Sequence, residues 1–202
     1  QYLIMCIILN LRRYVTMDAR KVYDYWHWSN VISEKDRQGM INNFLHRSLG
    51  DEKEELQGHN EQGNMKNAKV KTISLGRLPE INRFLDSAYK TNNEIFGYNL
   101  WERNNLDVML LNRYTKDMNY HWHTDASRDL AHDIKLTFLI NLSNDNSYEG
   151  GQFQIYNNLT LTCDFNPGDM IMFKSGLHHR VTPITSGERI SLTHFMVGPR
   201  FI

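Results

Sequence analysis

The stretch DMIMFKSGLHHRVTPITSGERISLTHFMV, residues 169–197, decides the fold. It holds three short runs of β-branched, aromatic and aliphatic residues, DMIMFKS, HRVTPI and RISLTHFMV, separated by turns that contain Gly176 and Gly187. Short runs of this composition bounded by turn residues read as β-strands. Working back from residue 169, the same texture begins at Leu106 and gives DVMLLNRY, KLTFLINL, GGQFQIY and LTLTCDF. Seven or eight strands packed into about 95 residues predict a β-sandwich or jelly roll.

The chain before Leu106 has a different texture. Ser33 is a good N-cap for a segment in which Met40, Ile41, Phe44 and Leu45 recur at helical spacing, which predicts a helix over about 33–48. Leu78-Pro79-Glu80 opens a second one, with proline at the tolerated first turn and Ile81, Phe84, Leu85 and Ala88 on one face, ending near Asn92. Between them, residues 50–69 (GDEKEELQGHNEQGNMKNAK) are polar, contain three glycines and have almost no apolar periodicity. They read as a mobile surface loop. No internal repeat or linker divides the chain, so the expectation is one domain over 17–202, with helical support at 30–95 and a β core at 106–200. Because Met17 is the first plausible start, residues 1–16 are expected to be an extension or fragment outside that core.

Among 202 residues, 23 basic and 23 acidic side chains cancel. There is no global field to hold a nucleic acid or an anionic membrane, so a nucleic-acid partner is disfavoured and a charged partner must be met locally. The apolar run from Tyr2 to Leu9 is far shorter than the roughly 18 residues needed to span a bilayer. Cys6 and Cys163 form neither a disulfide framework nor a zinc-type spacing, which points to a reducing, cytoplasmic setting.

The densest chemistry is Tyr120-His121-Trp122-His123-Thr124-Asp125. On an extended segment residues two apart share a face, about 6–7 Å apart at the backbone. Either His121 with His123 or His123 with Asp125 can then converge on a metal ion. A late histidine, one of the adjacent pair His178 and His179, would complete two imidazoles and a carboxylate on one side of the ion, leaving the opposite positions open as in non-haem iron(II) oxygenases. Adjacent strand residues face opposite ways, so only one of that pair can point at the ion. Arg189 would suit the far carboxylate of a 2-oxo dicarboxylate, because its planar fork makes two parallel charge-assisted hydrogen bonds. Its bland alternative is a surface ion pair with Glu188 or Asp169.

These residues carry a resemblance. Tyr114-x-x-Asp117-x-x-Tyr120-x-x-His123-x-Asp125, Tyr148-Glu149-Gly150-Gly151, Asn166-Pro167-Gly168-Asp169, His179-Arg180-Val181-Thr182-Pro183 and Gly187-Glu188-Arg189 together resemble the prolyl-4-hydroxylase-like 2-oxoglutarate- and iron(II)-dependent oxygenases, in particular their small bacterial and phage branch. The resemblance is strong over about 106–200 and loose over the helices. It implies a double-stranded β-helix (jelly roll) packed against two amphipathic helices. It also implies iron ligands at His123, Asp125 and His179, with Arg189 on the distal carboxylate of 2-oxoglutarate and Tyr114 helping to hold that co-substrate. The implied reaction uses Fe(II), 2-oxoglutarate and O2, with ascorbate as an optional reductant, to hydroxylate a C–H bond and release succinate and CO2. Peptidyl proline is the suggested substrate, within a wider class of peptides and small molecules. Asp117 departs from the family's usual glycine, and a left-handed turn accepts aspartate at some cost.

The remaining features have plainer readings. His121 and His178 are expected at the rim or surface, and Trp122 in the core or pocket wall. His132 and His194 need no function. Gly150-Gly151 should supply positive φ angles. The competing function is a cupin-like metal-binding jelly roll that is not an oxygenase, which has no use for Arg189 ten residues past the last ligand. A non-catalytic β-sandwich that binds a sugar or a protein is the other.

Overall fold

The computed structural model describes residues 23–60, 63–126 and 132–200; the expected extension at 1–16 lies outside the described residues. The chain runs β1 (Tyr25–Trp28), α1 (Glu34–Arg47), β2 (Leu49–Asn60), β3 (Gly63–Ser74) and α2 (Asn82–Thr91). The remaining strands follow without a further α-helix: β4 (Val108–Tyr114), β5 (Asn119–His123), β6 (Asp133–Asn141), β7 (Tyr148–Gly150), β8 (Phe153–Asn157), β9 (Leu159–Cys163), β10 (Met170–Lys174), β11 (His178–Val181), β12 (Ile184–Gly187) and β13 (Arg189–Gly198).

Among the described residues, eleven strands make one continuous antiparallel sheet in the order β1-β10-β6-β13-β4-β3-β5-β11-β8-β9, with β2 attached to β3; β7 and β12 pair separately. The sheet curls at β3. That strand pairs with β4 through Lys69–Ser74 and with β5 through Lys66 and Asn67, so it joins the two halves of the jelly roll.

Side-chain alternation sorts the core into two clusters. Leu136, Phe138 and Ile140 of β6, Met170 and Met172 of β10, and Leu192 and Met196 of β13 meet the helices. Leu139, Ile171 and Phe173, on the opposite face, join Tyr114, Phe153, Ile155, Phe165 and Val181 inside the roll. Burial on both faces explains why β6 and β10 read as almost unbroken apolar runs. The helices attach as their patterns predict. Ser33 caps α1 by accepting from the Asp36 N–H at 3.2 Å, and Met40, Ile41 and Phe44 are buried. A 3-10 turn at Pro79–Ile81 leads into α2, which buries Phe84, Leu85 and Ala88.

Residues 50–60 and 63–69 correct the expectation of a mobile loop: they belong to the paired strands β2 and β3, with Glu54 opposite Lys69 and Gln57 opposite Lys66. Backbone pairing organises this segment, and from Lys66 to Lys71 buried and half-buried residues alternate. The expected turns are present. Gly150 and Gly151 have φ of 76° and 59°, and a Cβ on Gly150 would fall 2.3 Å from the Pro183 carbonyl oxygen. Asp117 takes φ of 68° at the turn between β4 and β5, where its N–H donates to the Ile184 carbonyl.

Candidate metal centre

His123 ends β5 and stands directly opposite His179 of β11, with ring centroids 4.0 Å apart. Asp125 follows two residues beyond His123, held by its backbone N–H on the Ser175 carbonyl at 2.9 Å. His123 Nε2 lies 3.4 Å from Asp125 Oδ1, and His179 Nε2 lies 3.3 Å from Asp125 Oδ2. One donor atom from each of the three residues falls within 4.8 Å of the others.

The two imidazoles are oriented by the same local device. His123 Nδ1 meets the His121 carbonyl at 2.7 Å, and His179 Nδ1 meets the Leu177 carbonyl at 2.9 Å. A carbonyl only accepts, so each Nδ1 is a donor, and in a neutral ring the lone pair is then on Nε2, where a metal would take it. Ring packing fixes the planes: Tyr120 stacks on His123 at 3.5 Å, and Phe173 sets its edge against His179 at 4.6 Å. Burial pushes the His123 imidazole below its ordinary pKa, which favours the neutral ring. Burial also works to raise Asp125, but its interactions with His123 and His179 outweigh this and hold the carboxyl well below the usual carboxylate range. Thr137 Oγ donates to Asp125 Oδ2 at 2.7 Å and fixes the carboxylate's rotation.

This donor set fits a metal ion. His123 Nε2 is buried without a hydrogen-bond partner. Buried polar atoms are rarely left so. Two imidazole nitrogens and one carboxylate facing a common point suit a divalent first-row metal and leave other coordination positions open.

Across the same cavity, of about 130 Å3, stand Arg189 and Tyr114. They are opposite one another in the β13–β4 register. Arg189 is 1% exposed; its guanidinium donates to Ser191 Oγ at 3.1 Å and lies 5.6 and 5.7 Å from the Tyr114 and Phe165 rings. Neither acid of the bland reading engages it. Glu188 pairs with Arg113 at 2.7 Å, and Asp169 accepts from the Asn30 and Asn166 backbones and meets His27 at 3.1 Å. Among the described residues Arg189 has no carboxylate partner and its Nε no hydrogen-bond acceptor. A buried cation in that state is an incomplete ion pair, and the open cavity beside it is where an anion would complete it.

The side chains of His121, His178 and His194 stay apart from this centre. His121 and His178 are exposed, and only the His121 backbone carbonyl serves it. His194 is buried on the helix-facing side of β13, near the Val108 carbonyl. Trp122 departs from the expected core or pocket wall. It is half-buried on the face of β5 opposite His123, under Arg180 at 4.7 Å and edge-on to Tyr156. Not singled out from sequence were Thr137, which supports Asp125, and Lys66, which lines the cavity and is hidden in the segment read as a loop.

The family model of the 2OG-Fe(II) oxygenase superfamily matches residues 109–197, a stretch that holds His123, Asp125, His179 and Arg189. More particularly, a PKHD-type hydroxylase of Cupriavidus pinatubonensis is 33% identical over 91 residues, covering 41% of this chain and 39% of that protein. The chain thus spans well under two thirds of the length of such curated relatives. The fold is shared with a Pseudomonas putida prolyl-4-hydroxylase (TM-score 0.66, 15% identity, 88% of this chain and 94% of that one). It is shared equally with the viral collagen prolyl hydroxylase of Paramecium bursaria Chlorella virus-1 (TM-score 0.65, 17% identity, 87% and 97%). The matched family model is described as 2OG-Fe(II) oxygenases, and the curated relatives are named PKHD-type hydroxylases. No helix of the described residues is long and apolar enough to cross a membrane.

Proposed function

We propose that His123, Asp125 and His179 hold iron(II), that Arg189 and Tyr114 hold 2-oxoglutarate, and that the chain hydroxylates a C–H bond of a peptide or small molecule. The observation that carries this is the pairing, in one cavity, of an inward-facing His-Asp-His set with a buried guanidinium that lacks a carboxylate partner among the described residues.

Iron with 2-oxoglutarate and O2 supplies the oxidising power, with release of succinate and CO2. The chain's own residues supply position. The His121 and Leu177 carbonyls accept from the two Nδ1 atoms and so turn both Nε2 atoms toward the ion, and Thr137 stops Asp125 from rotating out of reach. Arg189 aligns the co-substrate by its distal carboxylate, a fork-to-carboxylate contact that fixes orientation as well as binding. Tyr120, Phe153, Phe173 and Leu139 line or back the cavity and keep water from the reacting groups. Arg189 is what sets this reading above a cupin-like metal protein, which has no task for it.

The proposal further takes residues 17–202 as one oxygenase domain, with ascorbate as no more than an auxiliary reductant. It adopts a cytoplasmic setting, in which Cys163, pushed up to about 12 by burial and the neighbouring Asp164, stays a protonated thiol. The test is anaerobic loading with Fe(II) and 2-oxoglutarate, then oxygen, against a peptide and metabolite library. One substrate should gain a single oxygen atom with matching succinate release. No succinate above that of the Asp125→Ala protein would contradict the proposal.

A further inference from the structure

The cavity that holds the metal centre and Arg189 is also lined by Asn112, which is 3% exposed and which the oxygenase reading leaves unused. Asn112 lies on β4 two residues before Tyr114, so the two share the inward face of one strand. In the register with β13 it stands opposite Ser191, one step along from the Tyr114–Arg189 pair. That step leads toward the metal centre. The inward residues of β13 are Arg189, Ser191, Thr193 and Phe195, and Phe195 is opposite Thr137, whose hydroxyl donates to Asp125. Asn112 is therefore beside the path between the guanidinium and the metal ligands, about 6–7 Å along the strand from the arginine pair. Its amide is only half used. Nδ2 donates to Thr193 Oγ1 at 3.0 Å, while its contact with the Leu110 carbonyl, at 3.5 Å, is at the limit of a hydrogen bond. Oδ1 is buried with no partner, a state that native folds seldom tolerate without a use for it.

Donor and acceptor chemistry decides what completes this amide. Its two ends are nearly the same size, and a hydroxyl can donate as well as accept, so the Asn112–Thr193 pair has two arrangements in one space. In the present one Nδ2 donates to Thr193 and Oδ1 is unmatched. Turned end for end, the Thr193 hydroxyl donates to Oδ1 and Nδ2 keeps its hydrogens to give elsewhere. The 2-oxoglutarate dianion carries acceptors only. It is repelled by an unmatched Oδ1 and attracts Nδ2, so it selects the second arrangement, in which every polar atom of the pair is satisfied. We infer that Asn112 binds the co-substrate: its amide turns when 2-oxoglutarate enters, Thr193 serves Oδ1, and Nδ2 donates to the dianion on the metal side of Arg189. This inference rests on the oxygenase reading.

The test is calorimetric titration of 2-oxoglutarate into Fe(II)-loaded protein under anaerobic conditions, with Fe(II) affinity measured first on each variant. Asn112→Leu keeps the volume and removes the amide. It should weaken 2-oxoglutarate binding at least tenfold, the scale of a hydrogen bond to a charged acceptor, while Fe(II) affinity stays within twofold of wild type. Asn112→Asp keeps the shape and has no N–H to donate, so it should weaken 2-oxoglutarate at least as much as Asn112→Leu. The near-isosteric aspartate carries the test if the leucine protein does not fold. Binding of 2-oxoglutarate within threefold of wild type in Asn112→Leu would overturn the inference. So would wild-type affinity in Asn112→Asp, because the amide oxygen and not the nitrogen would then be the group in use. An equal loss of Fe(II) and 2-oxoglutarate affinity in Asn112→Leu would also overturn it, as the mark of a merely structural residue. Wild-type protein that takes up Fe(II) and fails to bind 2-oxoglutarate would instead sink the oxygenase reading, and the inference with it.

Discussion

Replacing Arg189 with methionine should move stability and ligand binding in opposite directions. The side chain is 1% exposed, its Nε has no acceptor, and among the described residues no carboxylate pairs with it. An unsatisfied buried polar group costs about 1–3 kcal/mol, so an apolar residue of similar length should stabilise the ligand-free fold by about 1 kcal/mol or more. For a domain of this size that raises Tm by about 2–4 °C per kcal/mol. Binding should suffer, because truncating one partner of a buried charged contact costs about 2–5 kcal/mol. At about 1.4 kcal/mol per tenfold, the 2-oxoglutarate Kd should rise roughly 30- to 4,000-fold. Scanning fluorimetry of the metal-free protein and anaerobic calorimetry of 2-oxoglutarate with Fe(II) read the two effects separately. A variant that melts several degrees lower and still binds 2-oxoglutarate within threefold of wild type would refute the reasoning, because Arg189 would then be a structural cation.

Thr137→Val removes the hydroxyl that donates to Asp125 and should weaken iron binding about 10- to 100-fold, measured by competition with a chromophoric chelator. His178→Ala and His121→Ala should leave turnover within about twofold, since both side chains are exposed and a backbone carbonyl is what position 121 supplies; a large loss in either would mean a ligand has been misassigned. Burial lowers the pKa of His194 from 6.5, so its neutral form is favoured by the fold. The unfolded chain then binds the proton more readily, and the stability held above pH 6.5 is lost as pH falls below it. His194→Leu should flatten that acid limb in urea titrations of the metal-free protein, and an unchanged slope would count against a buried neutral His194.

Much of the architecture is legible because it is written in side chains. β6 and β10 are buried on both faces and show as apolar runs, while α1 and α2 each bury one stripe and show as helical spacing. The chemistry is legible for the same reason: His123 and Asp125 share parity on an extended segment, and the late histidine and Arg189 fall on strands of their own. What escapes the sequence is held by the backbone. The β2–β3 hairpin is organised by ladder pairing, so its polar residues give no apolar stripe to find, and Lys66 is hidden with it. The carbonyls of His121 and Leu177 that aim the two imidazoles have no side-chain signature at all. The short alternation Lys66-x-Ala68-x-Val70 was the one available sign that the supposed loop turned inward.

The central claim is tested most directly by equilibrium dialysis of Fe(II) under anaerobic conditions, with and without 2-oxoglutarate, on wild type, His178→Ala, His179→Ala and Asp125→Ala. The account predicts one iron per chain in wild type and His178→Ala, tightened by 2-oxoglutarate, and loss of both the iron and the tightening in His179→Ala and Asp125→Ala. Equal iron retention by all four proteins would contradict it.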